Sequence, residues 1–268
     1  MSAAGAGRLD GVHPGTDGTQ HDEVQVNEAL VGLGDDHLVL GHRLSEWCGH
    51  APMLEEDLAL PNMGLDMLGQ ARALYGYVAE LEGQGRSEDD IAYLRTDREY
   101  RNCLLVERPN GDFAHTMLRQ LYFAAFMQPY WQAMTASTDD RLRGIAGKAV
   151  KEIAYHVRHA GEWVIRLGDG TEESARRMKA AVEALHPYTE ELFAPTRGGV
   201  DLAVVPGREG MRARWEATIG EVFGEAGLEI PEVRFPLSGG REGRHGEEFG
   251  HLLAELQYMQ RAYPGMTW

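Results

Sequence analysis

From about Val24 onward the apolar residues return every three or four positions and no convincing strand pattern appears, so the chain buries them as helices packed on helices. In the first run, Leu30, Leu33, Leu40, Leu44 and Trp47 share one face if His37 fills the gap, which turns His37 toward the core. A second long helix is expected from about Met53 to Leu81 on the stripe Leu60, Gly64, Met67, Ala71, Leu74, Val78 and Leu81. Pro61 lies inside it and should kink it, because an interior proline removes a backbone donor at a cost of about 3 kcal/mol. Glu55, Glu56 and Asp57 form the acidic first turn that a helix N-terminus favours.

Further helices are punctuated by cap signals. Ser87 to Asp90 has the form of a capping box and opens a short helix to about Asn102. Pro109-Asn110-Gly111-Asp112 breaks the chain before a third long helix, to about Met134, with Met117, Leu121, Ala124 and Gln128 on one face. Asp139 or Asp140 opens a fourth, striped by Leu142, Ile145, Ala149, Ile153, His156, Ala160, Trp163 and Leu167. Thr171 caps a fifth, over 171–193, and 194–207 is a loop. A sixth covers about Arg208 to Ala226, and a last one, about His245 to Ala262, uses Phe249, Leu252, Leu256, Met259 and Tyr263. Residues 1–22, rich in Gly, Ala, Thr and Asp, read as a disordered leader. Residues 23–268 read as a single helical domain in which 227–244 is irregular, either mobile or laid over a surface. The expected fold is all-α: a four-helix bundle with accessory helices.

Charge narrows the function. With 26 Lys and Arg against 42 Asp and Glu, the net charge of −16 argues against a nucleic-acid partner, whose phosphates are bound mainly by clustered cations. No apolar run of about 18 residues is present to span a membrane. Cys48 and Cys103 are too few for a disulfide framework or a zinc site and suit small apolar fillers in a reducing, cytoplasmic setting.

Four blocks then carry a family resemblance: "RLSEWCGHAPMLEEDLALPNMGLDMLGQARAL", "YLRTDREYRNCLLVERPNGDFAHT", "KEIAYHVRHAGEWVIRLGDGTEES" and "LLAELQYMQRAYPGMTW". Over about Asn27 to Trp268, and most weakly between 195 and 244, they resemble the ferritin-like subunits of the bacterial ring-1,2-phenylacetyl-CoA epoxidase of phenylacetate degradation. That family has an A branch holding a di-iron centre and a C branch that pairs with it, and the blocks are closest to the C branch. The resemblance implies a ferritin-like bundle whose A-type relatives bind iron through one acidic residue from each of two helices and a Glu-x-x-His pair from each of the other two. Laid on this chain, the first pair falls on Met67 and Gln70, the second on Ile153 and His156, and the two single acids on His37 and about Leu121. None of the four carboxylate positions is acidic here. Two ferrous ions bring about four positive charges, and hydrocarbon or thioether suits a hard cation poorly, so no di-iron site is expected at His37, Met67, Gln70, Leu121, Ile153 and His156.

Two other patterns have blander readings. Glu248 and His251 form a lone Glu-x-x-His with no second half, which suits a surface or interface helix. His156 and His159 could chelate one metal, but His156 lies on the apolar stripe and His159 off it, so a core histidine beside a surface one is expected. Of Asp35 and Asp36, the helical phase favours Asp36 as the buried partner of His156 or Gln70 in a polar cluster that fills the old cavity.

One function is favoured, and two alternatives stand beside it. The first is a non-catalytic structural subunit that pairs with the A subunit, with no cofactor of its own, while the partner supplies di-iron and a reductase subunit supplies flavin and iron-sulfur, as the resemblance implies. The second is an independent metal-dependent oxidase built around His37, Asp36, Gln70 and His156. The third is a module that binds the CoA thioester, for which the sequence shows no phosphate-binding cluster.

Overall fold

The computed structural model describes residues 17–196 and 199–266, with side chains from Val24 onward. Nine α-helices are present among them and no strand: α1 (Asp17–Ser45), α2 (Leu54–Glu82), α3 (Glu88–Tyr93), α4 (Leu104–Glu107), α5 (Phe113–Met134), α6 (Asp140–Gly168), α7 (Glu172–Leu185), α8 (Arg212–Ala226) and α9 (Glu247–Ala262). The long helices α1, α2, α5 and α6 make a ferritin-like bundle of two antiparallel hairpins, α1 on α2 and α5 on α6. No helix among the described residues is long and apolar enough to cross a membrane.

The α1–α2 seam is set by small residues. A Cβ on Gly41 would come within 3.1 Å of the Gly64 carbonyl oxygen, and one on Gly64 within 3.0 Å of the Gly41 oxygen. The two backbones therefore touch where any larger side chain would hold them apart. Gly69, in contrast, faces outward over Lys148 and plays no part in this approach. α2 runs through Pro61 without a break. α5 is the central element, buried on almost every side from Ala114 to Trp131 because α6, α7 and α8 all lie against it.

The caps stand where local sequence puts them. Asp112 accepts from the His115 amide, Asp139 from Leu142, Thr171 from Ser174, and Ser87 closes a capping box with Asp90. Each side chain satisfies amides that the first helical turn leaves without partners.

Several expectations need correction. Of the leader expected over 1–22, residues 1–16 lie outside the described residues, and 17–22 are helical, since nothing after Gly18 interrupts the turns of α1. The short helix expected to reach Asn102 ends at Tyr93. Thr96 caps a 3-10 turn, Asp97–Glu99, and residues 100–103 are extended. The helix expected over 171–193 stops at Leu185, where Pro187 lacks the amide needed to continue it, and His186–Phe193 is 3-10. Trp47 falls beyond α1 in a turn and donates its indole N–H to Thr116 Oγ1 at 3.1 Å. Leu81, Met259 and Tyr263 are exposed rather than part of their stripes, and Cys48 is exposed where Cys103 is a buried filler.

The irregular 227–244 segment is laid over the bundle. Glu191 Oε1 accepts the Gly239 amide at 2.8 Å and the Arg241 amide at 3.1 Å, while its Oε2 takes Leu104 N at 2.7 Å. Glu107 anchors the next stretch through His245 Nδ1 and Gly246 N, both at 2.7 Å. At Gly243, φ is +75° and a Cβ would run into the Arg98 carbonyl, so only glycine lets this turn lie flat.

Candidate functional site

The bundle brings His37 from α1, Met67 and Gln70 from α2, Leu121 from α5, and Ile153 and His156 from α6 into its interior. Met67, Leu121 and Ile153 are completely buried and present thioether or hydrocarbon. They fill with packing the space that carboxylates and metal would need, as a close-packed interior requires.

The polar members of this ring have neutral or rim partners. His37 Nδ1 lies 2.7 Å from the Leu33 carbonyl oxygen and, since a carbonyl only accepts, carries the proton. Its Nε2 has no hydrogen-bond partner among the described residues, and Phe123 and Trp131 flank the ring at centroid distances of 5.3 and 5.6 Å. Burial pushes its pKa down to about 4, so the ring is uncharged at neutral pH. His156 receives the Gln120 amide N–H at Nδ1, 3.2 Å away, so its Nε2 carries the proton and donates to Asp66 Oδ2 at 3.1 Å. Gln70 Nε2 donates to Glu152 Oε2 at 2.9 Å.

The polar cluster expected in the old cavity therefore exists, with different members. Asp36 reaches neither His156 nor Gln70; Asp66, Glu152 and Gln120 take those places. Asp66 and Glu152 each stand one residue before an expected ligand position, Met67 and Ile153. One residue along a helix is a rotation of about 100°, which carries both carboxylates out of the core to the seam between α2 and α6. Higher up the same seam, His159 Nε2 meets Glu56 Oε2 at 2.9 Å, so His159 is half-buried rather than a surface residue, and burial lowers its pKa against the pull of Glu56. Glu248 is half-buried in the first turn of α9 and faces Arg108 at 3.7 Å, while His251 is exposed and lies 3.9 Å from Glu247. Nothing in sequence spacing pointed to Gln120; it was one position from the Leu121 that counting had selected.

Charge in the core sits beside His37, on α1. Asp35 and Asp36 are both fully buried, although helical phase had placed Asp35 off the stripe. Asp35 binds the Arg95 guanidinium and the Tyr75 hydroxyl and accepts the Arg101 amide at 2.7 Å. Asp36 accepts the Cys103 amide at 2.8 Å and Arg241 Nη1 at 2.9 Å, with Arg208 Nη1 at 3.7 Å. These bonds account for the extended backbone here: the Arg101 and Cys103 amides are spent on α1 carboxylates instead of helix carbonyls.

The donor set does not fit a di-iron centre. The four positions that supply negative charge in such a site are held by an uncharged imidazole, a thioether and two hydrocarbons, and the nearby carboxylates are engaged at the rim. Among the described residues no three His, Cys, Asp or Glu side chains are grouped to hold a metal ion.

Comparison with known proteins agrees with the fold. A family model described as phenylacetic acid catabolic protein matches residues 1–268. The chain is 44% identical, over 251 residues, to the C subunit of the 1,2-phenylacetyl-CoA epoxidase of Escherichia coli (strain K12), an alignment covering 91% of this chain and 99% of that protein.

Proposed function

Because the chain belongs to the phenylacetic acid catabolic protein family, we propose that it is the non-catalytic, ferritin-like subunit of a phenylacetyl-CoA 1,2-epoxidase in the cytoplasm. In this reading it pairs with a catalytic A-type subunit that holds the di-iron centre, and a reductase subunit bearing flavin and iron-sulfur supplies the electrons. This chain holds no cofactor of its own. The observation that carries the reading is the ring of His37, Met67, Leu121 and Ile153, fully buried and without a carboxylate at any of the four positions where one would balance iron. The fold is retained because its value lies in shape: a packed bundle stabilises and orients a partner without chemistry of its own.

Co-expression with the A-type subunit, followed by sizing and metal counting on the complex and on each chain alone, tests this. A stable heteromer whose iron tracks the A subunit is expected. Near-stoichiometric iron or manganese on this chain alone, lost in His156→Ala, would overturn the reading in favour of an independent oxidase. So would failure of the two chains to associate.

A further inference from the structure

The chain carries 42 acidic against 26 basic residues, yet four arginines line one cleft of about 790 Å³ between α1, the segment before α8 and the 240–244 turn. These are Arg101, Arg208, Arg241 and Arg244, with Glu28 and Glu242 also in the lining. Their circumstances differ. Arg241 is structural: its Nη1 is spent on Asp36 and on the Gly32 and Arg101 carbonyls. Arg244 is 70% exposed and touches Glu242. Arg101 Nη1 is held by the Arg98 and Tyr100 carbonyls, 2.6 and 2.8 Å away, which fixes its guanidinium in the wall.

Arg208 is the anomaly. It is only 4% exposed, its Nη1 has no hydrogen-bond partner, and among the described residues it meets only Asp36, at 3.7 Å, and the faces of Phe126 and Tyr130. Asp36 is already occupied by Arg241 and the Cys103 amide, so one carboxylate serves two guanidiniums. Burial and the neighbouring Arg241 charge both pull the Arg208 pKa down from its ordinary value. A buried cation that lacks its full counter-charge is costly, and it lies on the wall of a cleft large enough for a ligand.

We propose that this cleft is a binding site for a phosphate-bearing small molecule of nucleotide size, with Arg208 at its base and Arg101 and Arg244 at its walls. Guanidinium forks match phosphate oxygens in pairs, and an anion here completes the charge that Asp36 leaves unfinished. Given the epoxidase reading, the source of that phosphate is the nucleotide end of a CoA thioester; the site itself stands without that reading.

Calorimetric titration of the full chain at low salt with inorganic pyrophosphate, adenosine 3′,5′-bisphosphate and CoA tests the site, independently of any partner. Sub-millimolar binding is expected, abolished in Arg208→Gln and weakened about three- to tenfold in Arg244→Gln, in line with losing one charge-assisted hydrogen bond at an exposed position. The Arg244 side chain is 70% exposed and its ion pair is with the likewise exposed Glu242, so its variant decides the matter if Arg208→Gln does not fold. Absence of binding by all three probes, or binding that Arg244→Gln and a folded Arg208→Gln leave unchanged, overturns the proposal. Pyrophosphate binding without CoA binding keeps the site and removes CoA as its source, whereas the sizing experiment above answers the subunit question separately.

Discussion

Two polar regions lie within one helical turn of each other on α1, and they are built on opposite principles. At Asp35 and Asp36 the core contains full charges, each met by arginine and by backbone amides from segments far away in sequence. Around His37, Gln70 and His156 the fully buried neighbours Met67, Leu121 and Ile153 are apolar, and the acids that Gln70 and His156 reach, Asp66 and Glu152, stand at the rim. The first region ties Arg95, Arg101, Cys103 and Arg241 to the bundle, so its charges hold irregular chain in place. The second has no such chain to hold. It is the interior of a bundle whose helices already pack, and there uncharged side chains cost less than unpaired charges.

The comparison breaks most readily at Asp35. Asp35→Ala leaves Arg95, whose side chain is 8% exposed, without its carboxylate, and strands the Tyr75 hydroxyl and the Arg101 amide. A loss of roughly 3–5 kcal/mol is expected, the usual cost of removing one partner of a buried pair. Urea unfolding of the two proteins checks it, and a loss under about 1 kcal/mol would mean that Asp35 is not a buried clamp.

His37 sharpens the other half. Its folded pKa is about 4 against an ordinary 6.5, so above pH 6.5 it is neutral in both states and contributes no pH dependence. Between 6.5 and 4 the unfolded chain takes up a proton that the folded chain refuses, and stability falls as pH drops through that window. At about 1.4 kcal/mol per pH unit, His37 accounts for roughly 3 kcal/mol of acid lability. His37→Gln should flatten the acid limb of a stability profile by about that amount while leaving a residual slope from His42 and His115, whose pKa values burial also lowers to about 4. An unchanged profile would show that the His37 imidazole is not held in a dry site.

These two regions also mark where sequence stops being legible. Caps such as Asp112 and Thr171 are readable because a cap and its amide are three residues apart, and stripes such as Leu142 to Ala160 because burial repeats with the helix. The candidate ligand ring is readable for the same reason: positions 67, 70, 153 and 156 are fixed by spacing within single helices. Partner choice is not. Asp36 and Arg241 are 205 residues apart, and no periodicity connects them. The extended backbone at 100–103 was unreadable because the groups that pull it out of helix lie on α1. Gln120 shows the finer failure, in which counting reached the right turn of α5 and selected the apolar Leu121 beside the residue that binds His156.

The smallest effect separates the regions most cleanly. Gln70 is buried, but its one hydrogen bond goes to Glu152, which is partly exposed and also contacts Lys148 at 3.2 Å. Gln70→Leu removes a neutral donor and leaves no buried charge behind, because Glu152 keeps both water and its lysine. It also removes Oε1, which has no partner at present, and substitutes a side chain that packs beside Met67. A change within about 1 kcal/mol is expected, of either sign, since replacing a hydrogen-bonding group by a well-packed apolar one is close to neutral when no partner is stranded. If thermal or urea unfolding instead shows a loss as large as that of Asp35→Ala, the old ligand ring is an interlocked polar network, and the contrast between a charged clamp and a merely filled cavity fails.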